Sequence, residues 1–172
     1  MGYGGYLRSI NKIFWVFRGT INLTNWLEDF TYHQVAYPRC SGCKIHEGFY
    51  LAYLSIATPF FGALHRLSEL HPNTPFVITG CSMGAALATI AAIEVNSIFG
   101  PVEELHTYGC PRLGDTNFAG FVNLRLNKIW RVVHNRDLVP HVPLISQNFQ
   151  HPPIEVLFDE EMKNYQVCSS SG

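Results

Sequence analysis

The sequence predicts a single α/β domain, a three-layer arrangement with a mostly parallel central sheet. Three observations carry that expectation. Short runs at 13–17 and 76–79 are wholly or mostly apolar, as strands in the middle of a parallel sheet are. Longer stretches at 48–70 and 83–95 repeat their apolar residues with helical spacing. Strands and helices then alternate along the chain, the order that builds a parallel sheet.

Taken in order, Asn11-Lys12 reads as a turn, and the strand Ile13-Phe14-Trp15-Val16-Phe17 ends at Arg18-Gly19-Thr20. In 21–30, Trp26, Leu27 and Phe30 fall at helical spacing, which predicts a short amphipathic helix behind a loop. Residues 37–44 are rich in turn formers and read as loop. The helix at 48–70 contains Pro59, expected to kink it. His71-Pro72-Asn73-Thr74-Pro75 breaks the chain before the 76–79 strand. The helix at 83–95 is rich in alanine, which suits close packing on a sheet. Two more strands are expected at 103–108 and 129–134, with a helix near 115–123 between them and Asp115 as its N-cap.

Composition bounds the function. The 172 residues suffice for one domain, 1–172, with its own core. Hydrophobic residues make up 47% and charged residues 15%, a globular balance. The net charge of −1, without a basic run, points away from nucleic acid. No apolar stretch is long enough to span a bilayer. The start, Met1-Gly2-Tyr3-Gly4-Gly5-Tyr6, lacks the basic and apolar regions of a signal peptide, so at face value the chain reads as soluble and unexported.

Gly80-Cys81-Ser82-Met83-Gly84 sits between a predicted strand and a predicted helix. Alone, G-x-S-x-G is a weak signal; in that context it is the form of a nucleophile elbow, a turn tight enough to need glycine on both sides of the serine. The Met83 amide then falls at a helix N-terminus, where unpaired N–H groups favour negative charge, and is a natural oxyanion donor. An α/β-hydrolase places its acid next and its histidine last. Asp137 follows the 129–134 strand and fits the acid better than Asp115. Of eight histidines, His141 and His151 come after Asp137. His141 is only four residues away, between Pro140 and Val142-Pro143, and spacing gives His151 no more than modest favour.

Several motifs together resemble the class 3, fungal-type lipases of the α/β-hydrolase superfamily. They are Val16-Phe17-Arg18-Gly19-Thr20, Asn25-Trp26-Leu27-Glu28-Asp29, His46-Glu47-Gly48-Phe49, the elbow with Ala85-Ala86-Leu87-Ala88, Tyr108-Gly109-Cys110-Pro111-Arg112-Leu113-Gly114-Asp115, and His134-Asn135-Arg136-Asp137-Leu138-Val139-Pro140. The resemblance implies Ser82 as nucleophile, Asp137 as triad acid and His151 as triad histidine, with Thr20 joining the Met83 amide in the oxyanion hole. It also implies that 21–30 is a lid, with Ile21, Leu23, Trp26, Leu27 and Phe30 as its apolar face. Cys81, Met83 and Ala85 depart from the family pattern around the serine. The chain is also shorter than that pattern at both ends, which implies an incomplete member lacking N-terminal elements.

Cys40-Ser41-Gly42-Cys43 has no second ligand pair at zinc spacing and does not open a helix after a strand. A local disulfide or two free thiols remain. A disulfide, the family's habit of secretion and the Asn22-Leu23-Thr24 sequon would all place the protein outside the cytoplasm. The expected function is hydrolysis of acylglycerols or related lipid esters through an acyl-enzyme, by a monomer with no metal or organic cofactor. The same triad would serve an acyltransferase. The reading from another class is a non-catalytic lipid-binding relic or truncated inactive member.

Overall fold

The computed structural model describes residues 2–19 and 32–169. The segment expected as a lid, with Ile21, Leu23, Trp26, Leu27 and Phe30, lies outside the described residues, as do Thr20 and the Asn22 sequon. Seven strands form one sheet in the order β1 (Gly2–Leu7), β2 (Lys12–Phe17), β5 (Phe76–Cys81), β6 (Val102–Tyr108), β7 (Ile129–His134), β8 (Glu155–Phe158) and β9 (Tyr165–Cys168). The five central strands run parallel, and β1 and β9 close the edges antiparallel. A separate two-stranded ribbon pairs β3 (Gln34–Ala36) with β4 (Lys44–His46).

Three helices pack on this sheet among the described residues: α1 (Glu47–Leu70), α2 (Met83–Ile98) and α3 (Thr116–Arg125). From β2 to β8 each strand is laid down on the same side of the last. Right-handed crossovers therefore carry the helices over one face, and α2 touches both α1 and α3. The strands record this: Phe76, Ile78 and Gly80 are buried while Val77 and Thr79 between them are only half-buried.

The predicted strands and helices that lie among the described residues fall within three residues of their observed bounds. Pro59 lies inside α1 without ending it. The alanines of α2 do what their size allows: Ala85, Ala86, Ala88, Ala91 and Ala92 are all 0% exposed, so the helix lies close on β5 and β6. Phe60 of α1 meets Trp15 and Phe17 of β2 at ring-centroid distances of 5.0 and 5.4 Å. Missed by the periodicity were β1, β3, β4, β8 and β9.

Asp115 caps α3 as expected. Its Oδ1 accepts the amides of Phe118 at 2.9 Å and of Lys44 at 3.1 Å, so one carboxylate starts the helix and ties it to β4. Asp115→Ala should lower stability by about 1–2 kcal/mol, read as a lower denaturant midpoint at unchanged m-value. Asp115→Asn, which keeps an acceptor, should recover much of the loss.

Candidate active site

β5 ends at Cys81 and α2 begins at Met83, leaving Ser82 alone in the turn with φ 54° and ψ −129°. An L-residue holds that conformation only where its surroundings impose it. Here they do. A Cβ on Gly80 would fall on the Gly84 carbonyl, and one on Gly84 would strike the carbonyls of Phe17 and Arg18. The Ser82 amide donates to the Tyr108 carbonyl at 2.8 Å, pinning the turn to the end of β6. Ser82 Oγ is buried and has no hydrogen-bond partner among the described residues.

As the first amides of α2, those of Met83 and Gly84 have no acceptor within the helix. A Cβ on Gly19 would lie 2.8 Å from the Cys81 carbonyl and 3.3 Å from Ser82 Cβ, so the chain leading to Thr20 runs directly beside the elbow.

Asp137 reaches the same edge of the sheet from β7. Its Oδ1 accepts the Val139 amide at 3.0 Å, and a Cβ on Gly109 would come within 2.7 Å of its Oδ2. Gly109 has φ 56° and follows Tyr108, the residue that holds the Ser82 amide. Partial burial and the Asp137 charge push the Cys81 thiol above its ordinary pKa, so the carboxylate's field is felt beside the serine.

His151 is placed elsewhere. The ring is 3% exposed, and its Nε2 bonds the Pro140 carbonyl at 2.8 Å. It lines a cavity of about 20 Å³ with Thr89, Thr107, Cys110, Arg131 and Gln150. The Gln150 amide donates to the Gly114 carbonyl at 2.8 Å, so the residue before His151 is tied inside the fold and cannot swing over the elbow. No hydrogen bond joins the ring to Ser82 Oγ or to the Asp137 carboxylate. The expectation that His151 is the triad base finds no support in this geometry. Burial, then the Arg131 guanidinium, hold its pKa well below 6.5, with Arg112 and His141 adding in the same direction.

Arg112 was singled out by the sequence only as part of a motif. It is 4% exposed, and its Nη1 donates to the carbonyls of His141 at 2.6 Å and Pro143 at 2.9 Å. Cys40 and Cys43 are joined in a disulfide with Cα atoms 5.4 Å apart. No helix among the described residues is long and apolar enough to cross a membrane.

A serine at positive φ between a parallel strand and a helix defines an α/β-hydrolase framework. Residues 14–147 match the family model for lipase (class 3), and the chain belongs to that family. It is 35% identical to secreted mono- and diacylglycerol lipase 1 of Fusarium solani, over 92% of this chain and 48% of that protein. To a lipase of Rhizopus niveus it is 32% identical, over 96% of this chain and 44% of that one. The structure of lipase II from Rhizopus niveus superposes with a TM-score of 0.93 at 31% identity, covering 98% of this chain and 65% of that one. The chain thus spans about half the length of the curated relatives it matches.

A histidine neutral when folded but free to protonate when unfolded makes stability rise with pH between its folded and unfolded pKa values. The His151 contribution is therefore complete above about pH 6.5 and is lost as pH falls below it, by at most about 1.4 kcal/mol per pH unit for one proton. Unfolding measured from pH 7.5 to 5 should show a shallower acid-side decline in His151→Gln than in the parent.

Proposed function

We propose that this chain carries the nucleophile, acid and oxyanion donor of a serine carboxylic ester hydrolase acting on acylglycerols or related lipid esters. The observation that carries the reading is Ser82: a hydroxyl at positive φ, unpartnered among the described residues, at the N-terminus of α2. The relatives' names supply the substrate class, being lipases and a mono- and diacylglycerol lipase.

In this reading Ser82 Oγ attacks the ester carbonyl as its proton passes to a general base that the Asp137 carboxylate orients; no histidine among the described residues is hydrogen-bonded to that carboxylate. The Met83 amide takes the charge of the tetrahedral oxyanion, and Thr20, following Gly19 beside the elbow, gives the second donation. Collapse expels the alkoxide, which leaves as the alcohol with that proton. Water then cleaves the acyl–Ser82 bond to release the acid. His151 does not serve as that base, because its Nε2 is engaged by Pro140. In this reading the segment 21–30, outside the described residues, is the lid. The Cys40–Cys43 disulfide and the name of the Fusarium relative, a secreted lipase, support export to an oxidising compartment.

Fluorophosphonate labelling and hydrolysis of an emulsified acylglycerol test the reading in the full-length protein. Ser82→Ala should abolish both while leaving the circular dichroism spectrum unchanged. Asp137→Asn should lower kcat by about 10⁴-fold, the scale seen when a triad acid loses its charge. Turnover that survives in Ser82→Ala would sink the proposal.

A further inference from the structure

We infer that Arg112 and His151 are positioning residues for Asp137, gripping from within the loop that follows β7 and so fixing where the carboxylate stands. The inference rests on the reading of Ser82 and Asp137 as parts of one esterase site.

The loop's own turns leave the carbonyls of residues 140–143 without a donor from within the loop. Between Asp137 and Phe149 it contains Pro140 and Pro143, which have no N–H to offer, and its own turns use the amides of His141 and Val142 on Leu138 and Val139. Four successive carbonyls, of residues 140 to 143, are received by just two residues. His151 Nε2 takes Pro140 at 2.8 Å, the Arg112 amide takes Val142 at 2.9 Å, and Arg112 Nη1 takes His141 and Pro143. Both residues are almost wholly buried, so water does not compete for these bonds. Facing a carbonyl, His151 Nε2 must carry the proton and donate it.

The grip reaches Asp137 through two short steps. Val139, next to the first held carbonyl, is buried and gives its amide to Asp137 Oδ1. Three residues before Arg112, Gly109 forms the floor beneath Asp137 Oδ2. The segment from 109 to 112 therefore sets the carboxylate from below and anchors the loop that carries it. Released from Arg112 or His151, the loop would let Asp137 drift, and a displacement of about 1 Å in a catalytic array can lower rate by about 10²-fold.

Hydrolysis of a soluble p-nitrophenyl ester by the full-length protein, expressed per folded molecule, tests this. Arg112→Ala and His151→Leu should each lower kcat by about 10²-fold with KM changed only a few-fold. His151→Gln, whose amide can still donate to Pro140, should recover most of the loss, and Arg112→Lys should fall between. In an Asp137→Asn background Arg112→Ala should cost little more, because the group it positions has already lost its function. Wild-type kcat in both variants, or losses that multiply with Asp137→Asn, would overturn the inference and leave the two residues as supports of the fold. Should Arg112→Ala fail to fold, Arg112→Lys and His151→Leu decide the matter by the same criteria. Activity that persists in Ser82→Ala is a different failure, of the esterase reading itself.

Discussion

The site depends on one close crossing of backbone. α2 leaves β5 so sharply that its first turn passes over the ends of β5 and β2, with Gly84 against the carbonyls of Phe17 and Arg18 and Gly80 against the carbonyl of Gly84. No side chain fits at either position. The strain of Ser82 follows from this, since the turn can close only if the residue between the glycines takes a positive φ. Among the described residues its hydroxyl is left without a partner, the Met83 amide follows it at the start of α2, and Gly19 lies alongside. One steric constraint thus sets the Ser82 hydroxyl at the positive end of the helix dipole.

The sheet carries that constraint sideways. Parallel pairing puts Cys81 of β5 beside Tyr108 of β6, and Tyr108 beside Val132 of β7. Beyond the last pairs the ladder continues as two single bonds, Ser82 amide to Tyr108 carbonyl and Gly109 amide to Val132 carbonyl. Ser82 and the Gly109 floor beneath Asp137 are therefore held by strand register rather than by loop conformation. Asp137, two residues past the β7–β8 bond between Asn135 and Phe158, is the first part of the site that register alone does not hold.

What the sequence made legible was whatever one segment decides for itself. The apolar runs of β2 and β5, the alanine face of α2, the glycine pair around Ser82 and the cap at Asp115 each state a local requirement in their own residue types. β1 was illegible because Gly2, Gly4 and Gly5 do not look like strand; two of them are there so that the Trp15 indole of the neighbouring strand can lie against bare backbone. β9 was illegible because an edge strand is mostly exposed and shows no alternation, and it pairs with β8 through a turn built on Asp159, whose carboxylate collects the amides of Lys163 and Asn164. Arg112 was visible as a motif residue but not as a donor, because the carbonyls it serves lie some thirty positions further on.

His151 shows why chain order is not enough to assign a base. A histidine that accepts a proton near neutral pH needs a neighbouring carboxylate, or at least water, to stabilise the imidazolium. His151 has the reverse: almost complete burial, two guanidinium groups nearby, and a single carbonyl as partner for Nε2. Those surroundings select the neutral ring and turn it into a fixed donor. The Arg131 charge that suppresses protonation is itself balanced on the far side by Glu155 at 2.7 Å, in register across β7 and β8. A residue type chosen for its readiness to titrate is here used for the opposite property, and only the three-dimensional neighbours could distinguish the two.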